Sequence, residues 1–188
     1  MAHIIIVTGS ARPTSIAPKV LPLVEDALQR TVAAEITVVN AAELDLPFYD
    51  APVPPSHEQF VVSDEHVKAW TAQVAAADGV IMLTPEYNGN MTAVQQNAID
   101  WVYKEWADKP VALIGYGWYD PSRAQAAAKV SFGVVKAALV EPFAQLQFAK
   151  DISVAGDVLD AASIEEKLTA TVEAFAAALS VRQAAVTV

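Results

Sequence analysis

Five short apolar runs, at residues 3 to 8, 35 to 39, 79 to 84, 110 to 115 and 144 to 148, alternate along the chain with longer stretches of helical pattern. This alternation restricts the possible folds more than any other feature. Each run is rich in β-formers and nearly free of polar residues, as strands are when helices cover both faces of their sheet. Between the first two runs, Val20, Leu23, Val24, Ala27 and Leu28 fall three and four residues apart and so share one side of a helix. Further helices are expected near residues 64 to 77, 91 to 105, 121 to 139 and 163 to 181, making five βα units. Right-handed crossovers can arrange five such units as a three-layer α/β sandwich with a parallel sheet in the order 2-1-3-4-5. Such a sheet opens a ligand crevice at the carboxyl ends of strands 1 and 3.

A chain of 188 residues, 54% hydrophobic and without a Gly/Ser-rich stretch, reads as a single domain over residues 1 to 188. The segment from Ala41 to Ser63 carries Pro47, Pro52, Pro54 and Pro55 and is expected to be an irregular but ordered surface loop. A net charge of −10 repels polyanions, which argues against nucleic acid and acidic membranes as partners. The absence of cysteine removes disulfides, thiolate metal sites and thiol nucleophiles from consideration. The first apolar run is far shorter than the roughly 20 residues of a membrane span and has no basic segment before it, so a cytoplasmic protein is expected. His3, His57 and His66 are scattered and fit no metal pattern, and no serine sits in a GxSxG turn. No metal site is expected.

The loops at the strand ends decide the chemistry, because the sheet supplies rigidity and the loops supply reactive groups. After the first strand comes Thr8-Gly9-Ser10-Ala11-Arg12-Pro13-Thr14-Ser15, leading into a helix. Gly9 permits close backbone approach, Ser10, Thr14 and Ser15 offer hydroxyls, Arg12 offers a charged fork, and the helix start adds free N–H groups. Together these suit a phosphate. Alone, the segment also reads as an ordinary capped turn with a solvated arginine. After the third strand comes Thr84-Pro85-Glu86-Tyr87-Asn88-Gly89-Asn90, in which Pro85 restricts the chain and Gly89 lets it turn, and after the fourth comes Gly115-Tyr116-Gly117-Trp118-Tyr119-Asp120-Pro121-Ser122-Arg123.

Thr-Pro-Glu-Tyr-Asn-Gly at 84 to 89 is followed eight residues later by Asn97-Ala98-Ile99-Asp100-Trp101, with Gly-Ser-x-Arg-x-x-Ser at 9 to 15 and Leu46-Pro47-Phe48-Tyr49-Asp50 before it. These segments jointly resemble the NADPH-dependent FMN reductase family across roughly residues 3 to 150. The resemblance implies a flavodoxin-like fold, FMN as cofactor, NADPH or NADH as co-substrate, and a homodimer or dimer of dimers. It implies that Ser10, Arg12 and Ser15 hold the FMN phosphate, that Pro85, Glu86, Tyr87 and Asn88 surround the flavin ring, and that the third loop, with Gly115 and Gly117, lines the pocket. Trp101 reads instead as helix-packing core. Two segments depart from the family pattern. Trp118 and Tyr119 are bulky where the family is glycine-rich, which leaves open a closed pocket, a subunit contact or a narrowed entry. Met91-Thr92-Ala93-Val94-Gln95-Gln96 lacks the Pro-Gly pair and the apolar and basic residues usual there.

The chain thus reads as an FMN-dependent oxidoreductase that passes hydride from NAD(P)H to free flavin, a quinone or a similar small acceptor. The cofactor carries the difficult chemistry, so no side chain is assigned as catalytic. Two rivals use the same fold: an electron carrier without nicotinamide activity, and a flavin-free binding module.

Overall fold

In the computed structural model, which describes residues 1 to 118 and 121 to 186, five parallel strands pair in the order β2-β1-β3-β4-β5, as the sequence pattern predicts. They are β1 (Ala2–Thr8), β2 (Ala34–Asn40), β3 (Gly79–Pro85), β4 (Pro110–Gly117) and β5 (Ala138–Gln147). The helices are α1 (Ala17–Thr31), α2 (Glu65–Ala76), α3 (Ala93–Asp100), α4 (Ser122–Val134) and α5 (Ala161–Val186). None of the described helices is long and apolar enough to cross a membrane.

Successive strand residues point to opposite faces, so each central strand feeds two cores. Ile4, Ile6, Ile81, Leu83 and Ile114 pack with Val20, Val24 and Leu28 of α1 and with Leu168, Val172 and Phe175 of α5. Ile5, Val7, Val80, Met82 and Leu113 pack on the other face with Val67 and Trp70 of α2, Ala98 and Ile99 of α3 and Phe132 of α4. This double burial explains why the strands read as unbroken apolar runs.

Three boundaries differ most from the sequence expectation. Helix α4 stops at Val134 rather than near residue 139, because Lys136 takes a left-handed conformation (φ 60°). The Ala137 N–H then bonds the Phe132 carbonyl at 3.0 Å and the Lys136 N–H bonds that of Gly133 at 3.2 Å. This is a Schellman ending built on lysine instead of glycine, so the sequence carries no stop signal there. Strand β5 therefore starts at Ala138, six residues before the expected 144, and runs through Pro142. Proline is tolerated because β5 is an edge strand whose register with β4 shifts between Ala112 and Ile114. Helix α3 is likewise shorter than expected, ending at Asp100, with a 3-10 turn at Lys104–Trp106.

The proline-rich segment after β2 is irregular apart from a 3-10 turn at Ala41–Glu43, and it is pinned to α3. Asn97 donates its amide to the Pro47 carbonyl at 2.9 Å and accepts the Tyr49 N–H at 2.9 Å, while Trp101 donates to the same Pro47 carbonyl at 2.8 Å. Tyr49 and Trp101 also meet edge to face, with ring centroids 5.0 Å apart. Trp101 is core, as expected.

Candidate active site

The carboxyl ends of β1, β3 and β4 open onto a cleft of about 680 Å³, within the few hundred to about 1,000 Å³ usual for small-ligand sites. One wall is the β1–α1 loop, with Ser10, Arg12, Thr14 and Ser15. The opposite wall is the loop after β3, from Pro85 to Gly89, and the end of β4 with α4 and β5 adds Tyr116, Gly117, Trp118, Arg123 and Phe148. Eight of the nine residues singled out in the sequence therefore share this cleft: Ser10, Arg12, Ser15, Pro85, Glu86, Tyr87, Asn88 and Gly117.

Gly115 does not line it. A Cβ there would stand 2.7 Å from Pro121 and 3.1 Å from Gln125, so this glycine makes room for α4 behind the sheet. Gln125 uses that room to donate to the Ala144 carbonyl at 2.7 Å and the Leu113 carbonyl at 3.4 Å, and it accepts from Gln145 at 3.1 Å, tying β4 to β5.

An equivalent clamp holds the switch point. Gln95 is fully buried, its side-chain amide lies against Gly9, and its Nε2 faces the carbonyls of Val7 (3.4 Å) and Leu83 (3.3 Å). Thr92 caps α3 by accepting the Gln95 N–H, and its hydroxyl donates to the Gln95 Oε1, both at 3.3 Å. The unusual segment before Asn97 thus supplies a buried polar clamp between β1 and β3.

The loop after β3 turns back through Asn88 (φ 53°) and Gly89 (φ 76°), closed by paired backbone bonds between Tyr87 and Asn90 at 2.9 and 3.1 Å. Two successive positive φ values define a type I′ turn, for which Asn-Gly is the preferred pair. The turn directs Tyr87 across the cleft, where its hydroxyl meets Ser10 Oγ at 3.0 Å. The Glu86 N–H bonds the Tyr116 carbonyl at 3.1 Å, tying this loop to β4. Trp118 is 57% exposed at the cleft edge, packs edge to face on Phe148 with centroids 5.6 Å apart, and accepts a bond from Gln147 on its carbonyl at 3.3 Å. Trp118 thus lines the cleft edge; Tyr119 and Asp120 lie outside the described residues.

The far wall is held by the segment after β5. Gly156 (φ 83°) packs so closely on α1 that a Cβ would meet Lys19 at 2.9 Å, and Lys19 pairs with Asp157 at 2.8 Å. Asp151, at the root of this segment, accepts from Lys167 at 2.7 Å, Ser163 at 2.7 Å and the Gln147 N–H at 2.7 Å. Burial would raise the Asp151 pKa, but these donors, Lys167 first, hold it below the ordinary carboxylate value.

Two polar atoms in the cleft are buried without a hydrogen-bond partner among the described residues: Glu86 Oε2 and the Tyr116 hydroxyl. Arg12 and Arg123 take part in none of the ion pairs among the described residues, although the chain is strongly acidic. An unpaired acceptor, an unpaired donor and unpaired arginine forks in one cleft fit a ligand that carries both a phosphate and a ring with polar edges, as FMN does. No group of three or more possible metal ligands occurs among the described residues.

Arg123 lines the cleft as the third loop implied, whereas sequence reasoning did not single out Tyr116 within that loop and missed Phe148 as a lining residue and Gln95 as the clamp. For Tyr116 the signal was present: strand alternation from Ile114 puts residue 116 on the α1 face, toward the loop that ends at Ser15.

The fold and this cleft define a flavodoxin-like ligand-binding domain. The sequence model for NADPH-dependent FMN reductases matches residues 2–151, and the chain belongs to that family. It is similar to the NAD(P)H-dependent FMN reductase ntnL of Nectria sp, at 35% identity over 93% of this chain and 89% of that one. Over a shorter stretch it is similar to a 2-hydroxy-1,4-benzoquinone reductase of Burkholderia sp, at 34% identity over 48% of this chain and 53% of that one. Among solved structures, the flavoenzyme NAD(P)H:(acceptor) oxidoreductase FerB of Paracoccus denitrificans superposes with a TM-score of 0.76 at 24% identity, covering 97% of this chain and 99% of that one. The chain is accordingly an oxidoreductase that works with FMN and NAD(P)H.

Proposed function

We propose that the cleft binds FMN with its phosphate against Ser10, Arg12 and Ser15 and its ring against Pro85, Glu86, Tyr87, Asn88 and Gly117, and that a quinone or free flavin is the electron acceptor. The observation that carries this reading is the coincidence, in one cleft at the switch point of the sheet, of Arg12 without an ion pair and of Glu86 Oε2 and the Tyr116 hydroxyl without a hydrogen-bond partner among the described residues. The quinone reductase among the relatives supports the acceptor class.

When bound, FMN supplies a two-electron carrier between reduced nicotinamide and acceptor. The protein's own groups place it. Arg12 and the loop hydroxyls neutralise a dianion, and Glu86 Oε2 accepts an N–H or O–H from the ligand. The Gln95 clamp keeps the two loops at a fixed separation. Gly115 contributes by admitting Gln125 behind the cleft. Donor and acceptor use the same open face in turn, which gives ping-pong kinetics. Of the cations near the cleft, Lys19 is occupied by Asp157, leaving Arg12 and Arg123 to attract the phosphates of NADPH or NADH. NADPH is the proposed donor of the two, the protein acts in the cytoplasm, and it assembles as a homodimer.

Steady-state NADPH oxidation by the FMN-loaded protein, with and without a small quinone, tests the reading. Sustained consumption that depends on the quinone supports it. Flavin that binds without any nicotinamide turnover would return the chain to the electron-carrier alternative. Sedimentation tests the assembly, and a fully active monomer would remove the dimer.

A further inference from the structure

Resting on the FMN reading of the cleft, we propose that Tyr116 is a phosphate-binding residue, whose hydroxyl completes a donor set with Ser10, Ser15 and Arg12 and makes the site prefer phosphorylated flavin over riboflavin. Tyr116 is only 3% exposed, its hydroxyl has no hydrogen-bond partner among the described residues, and it lines the cleft. Its position is fixed by the strand. It pairs in register with Pro85 of β3, its carbonyl accepts the Glu86 N–H, and its ring packs at 6.4 Å from that of Phe148. The phenol cannot swing out to water without leaving the core it shares with Ile114 and Leu146.

Its surroundings select the ligand atom it meets. The hydroxyl stands near Ser15, close enough to feel that side chain without the geometry of a hydrogen bond, and near Tyr87, whose own hydroxyl is taken up by Ser10. This is the phosphate-loop side of the cleft, where the groups on offer are hydroxyls, the Arg12 fork and the first N–H groups of α1. The side-chain oxygen of Ser15 already accepts the Ala17 N–H at 3.2 Å, so its O–H is available to a ligand. Burial pushes the Tyr116 pKa up to about 12, against a smaller downward pull from Ser15. The phenol therefore keeps its proton at any working pH, and an approaching dianion reinforces this. A buried donor without a partner lowers the stability of the ligand-free protein and is satisfied on binding, so one atom has opposite effects in the two states.

The Tyr116→Phe variant removes that single oxygen and leaves the packed ring, so the fold is retained. Affinities for FMN, for riboflavin and for inorganic phosphate as competitor are read from flavin fluorescence, with thermal midpoints of the ligand-free and FMN-saturated forms alongside. The expected result is FMN bound roughly ten-fold or more weakly, the loss typical of a hydrogen bond to a charged group. Riboflavin affinity is expected to be unchanged, inorganic phosphate to compete less well, and the ligand-free midpoint to be equal or higher. Unchanged FMN affinity, or equal losses for FMN and riboflavin, would overturn the assignment. Failure of the unaltered protein to bind either flavin is a distinct result that would overturn the FMN reading itself, and this inference with it.

Discussion

The side-chain amide of Gln95 occupies the space that a Cβ on Gly9 would need. One residue is the first of the β1–α1 loop and the other lies on α3, yet together they set the distance between the two loops that face each other across the cleft. Gly9→Ala must displace Gln95 and break its contacts with the Val7 and Leu83 carbonyls. The expected cost is on the order of 1–3 kcal/mol of unfolding free energy, measured by urea denaturation, together with weaker FMN binding. Wild-type values for both would show that the loop adjusts freely and that the clamp is incidental.

Arg12 is the charged group of the phosphate loop and has no acidic partner among the described residues. Arg12→Ala is expected to weaken FMN binding by about 1.5–3 kcal/mol, the range of a charge-assisted hydrogen bond, while leaving unfolding free energy unchanged. A flavin titration that matches the wild type would take Arg12 out of the site.

At the opposite end of the sheet, Lys109 is 1% exposed and donates to the Ala77 carbonyl. Burial, with a smaller contribution from Arg182, pulls its pKa down from 10.5 to about 8, against Asp78 and Glu105. Because the folded state releases this proton more readily than the unfolded chain, stability rises as pH increases from about 8 to about 10.5, by at most about 3 kcal/mol. Denaturation of the wild type and of Lys109→Met across that window checks the sign. The Met variant is expected to lose this slope, and parallel curves would assign the pH dependence to other groups.

Asp151 is 2% exposed and holds the root of the segment that forms the far wall. Its pKa is depressed in the folded state, so its contribution is present at neutral pH and lost as pH falls through the depressed value. Asp151→Ala strands the Lys167 ammonium. Since Lys167 is 37% exposed, the expected loss is at or below the low end of the roughly 3–5 kcal/mol seen when one partner of a buried pair is removed. Thermal unfolding at neutral and acidic pH measures it, and the difference between variant and wild type should shrink in acid.

Much of this architecture was legible because it rests on periodicity. The central strands of the sheet are covered on both faces, so Ile4 to Val7 and Val80 to Leu83 had to be apolar without interruption, and the order 2-1-3-4-5 placed the three loops together. What escaped was set by single residues acting against type. Lys136 ends α4 in a conformation that glycine usually marks, and it hid the first six residues of β5. Gln95 looked like a polar interruption of a helix, because its partners are carbonyls on two distant strands. Gly115 was placed in the pocket because it belongs to a pocket loop, whereas its missing side chain serves α4. The Asn97 and Trp101 motif that marked the family turned out to be a clamp on Pro47 and Tyr49, a structural reason for those residue types.

FMN bound in this cleft lies where reduced nicotinamide reaches it, under the function proposed above. The most direct test loads the purified protein with FMN, removes oxygen, adds NADPH to one sample and NADH to another, and follows the visible flavin absorbance. Rapid bleaching of the bound flavin is expected, faster with NADPH. Bound flavin that stays oxidised with both donors would contradict it.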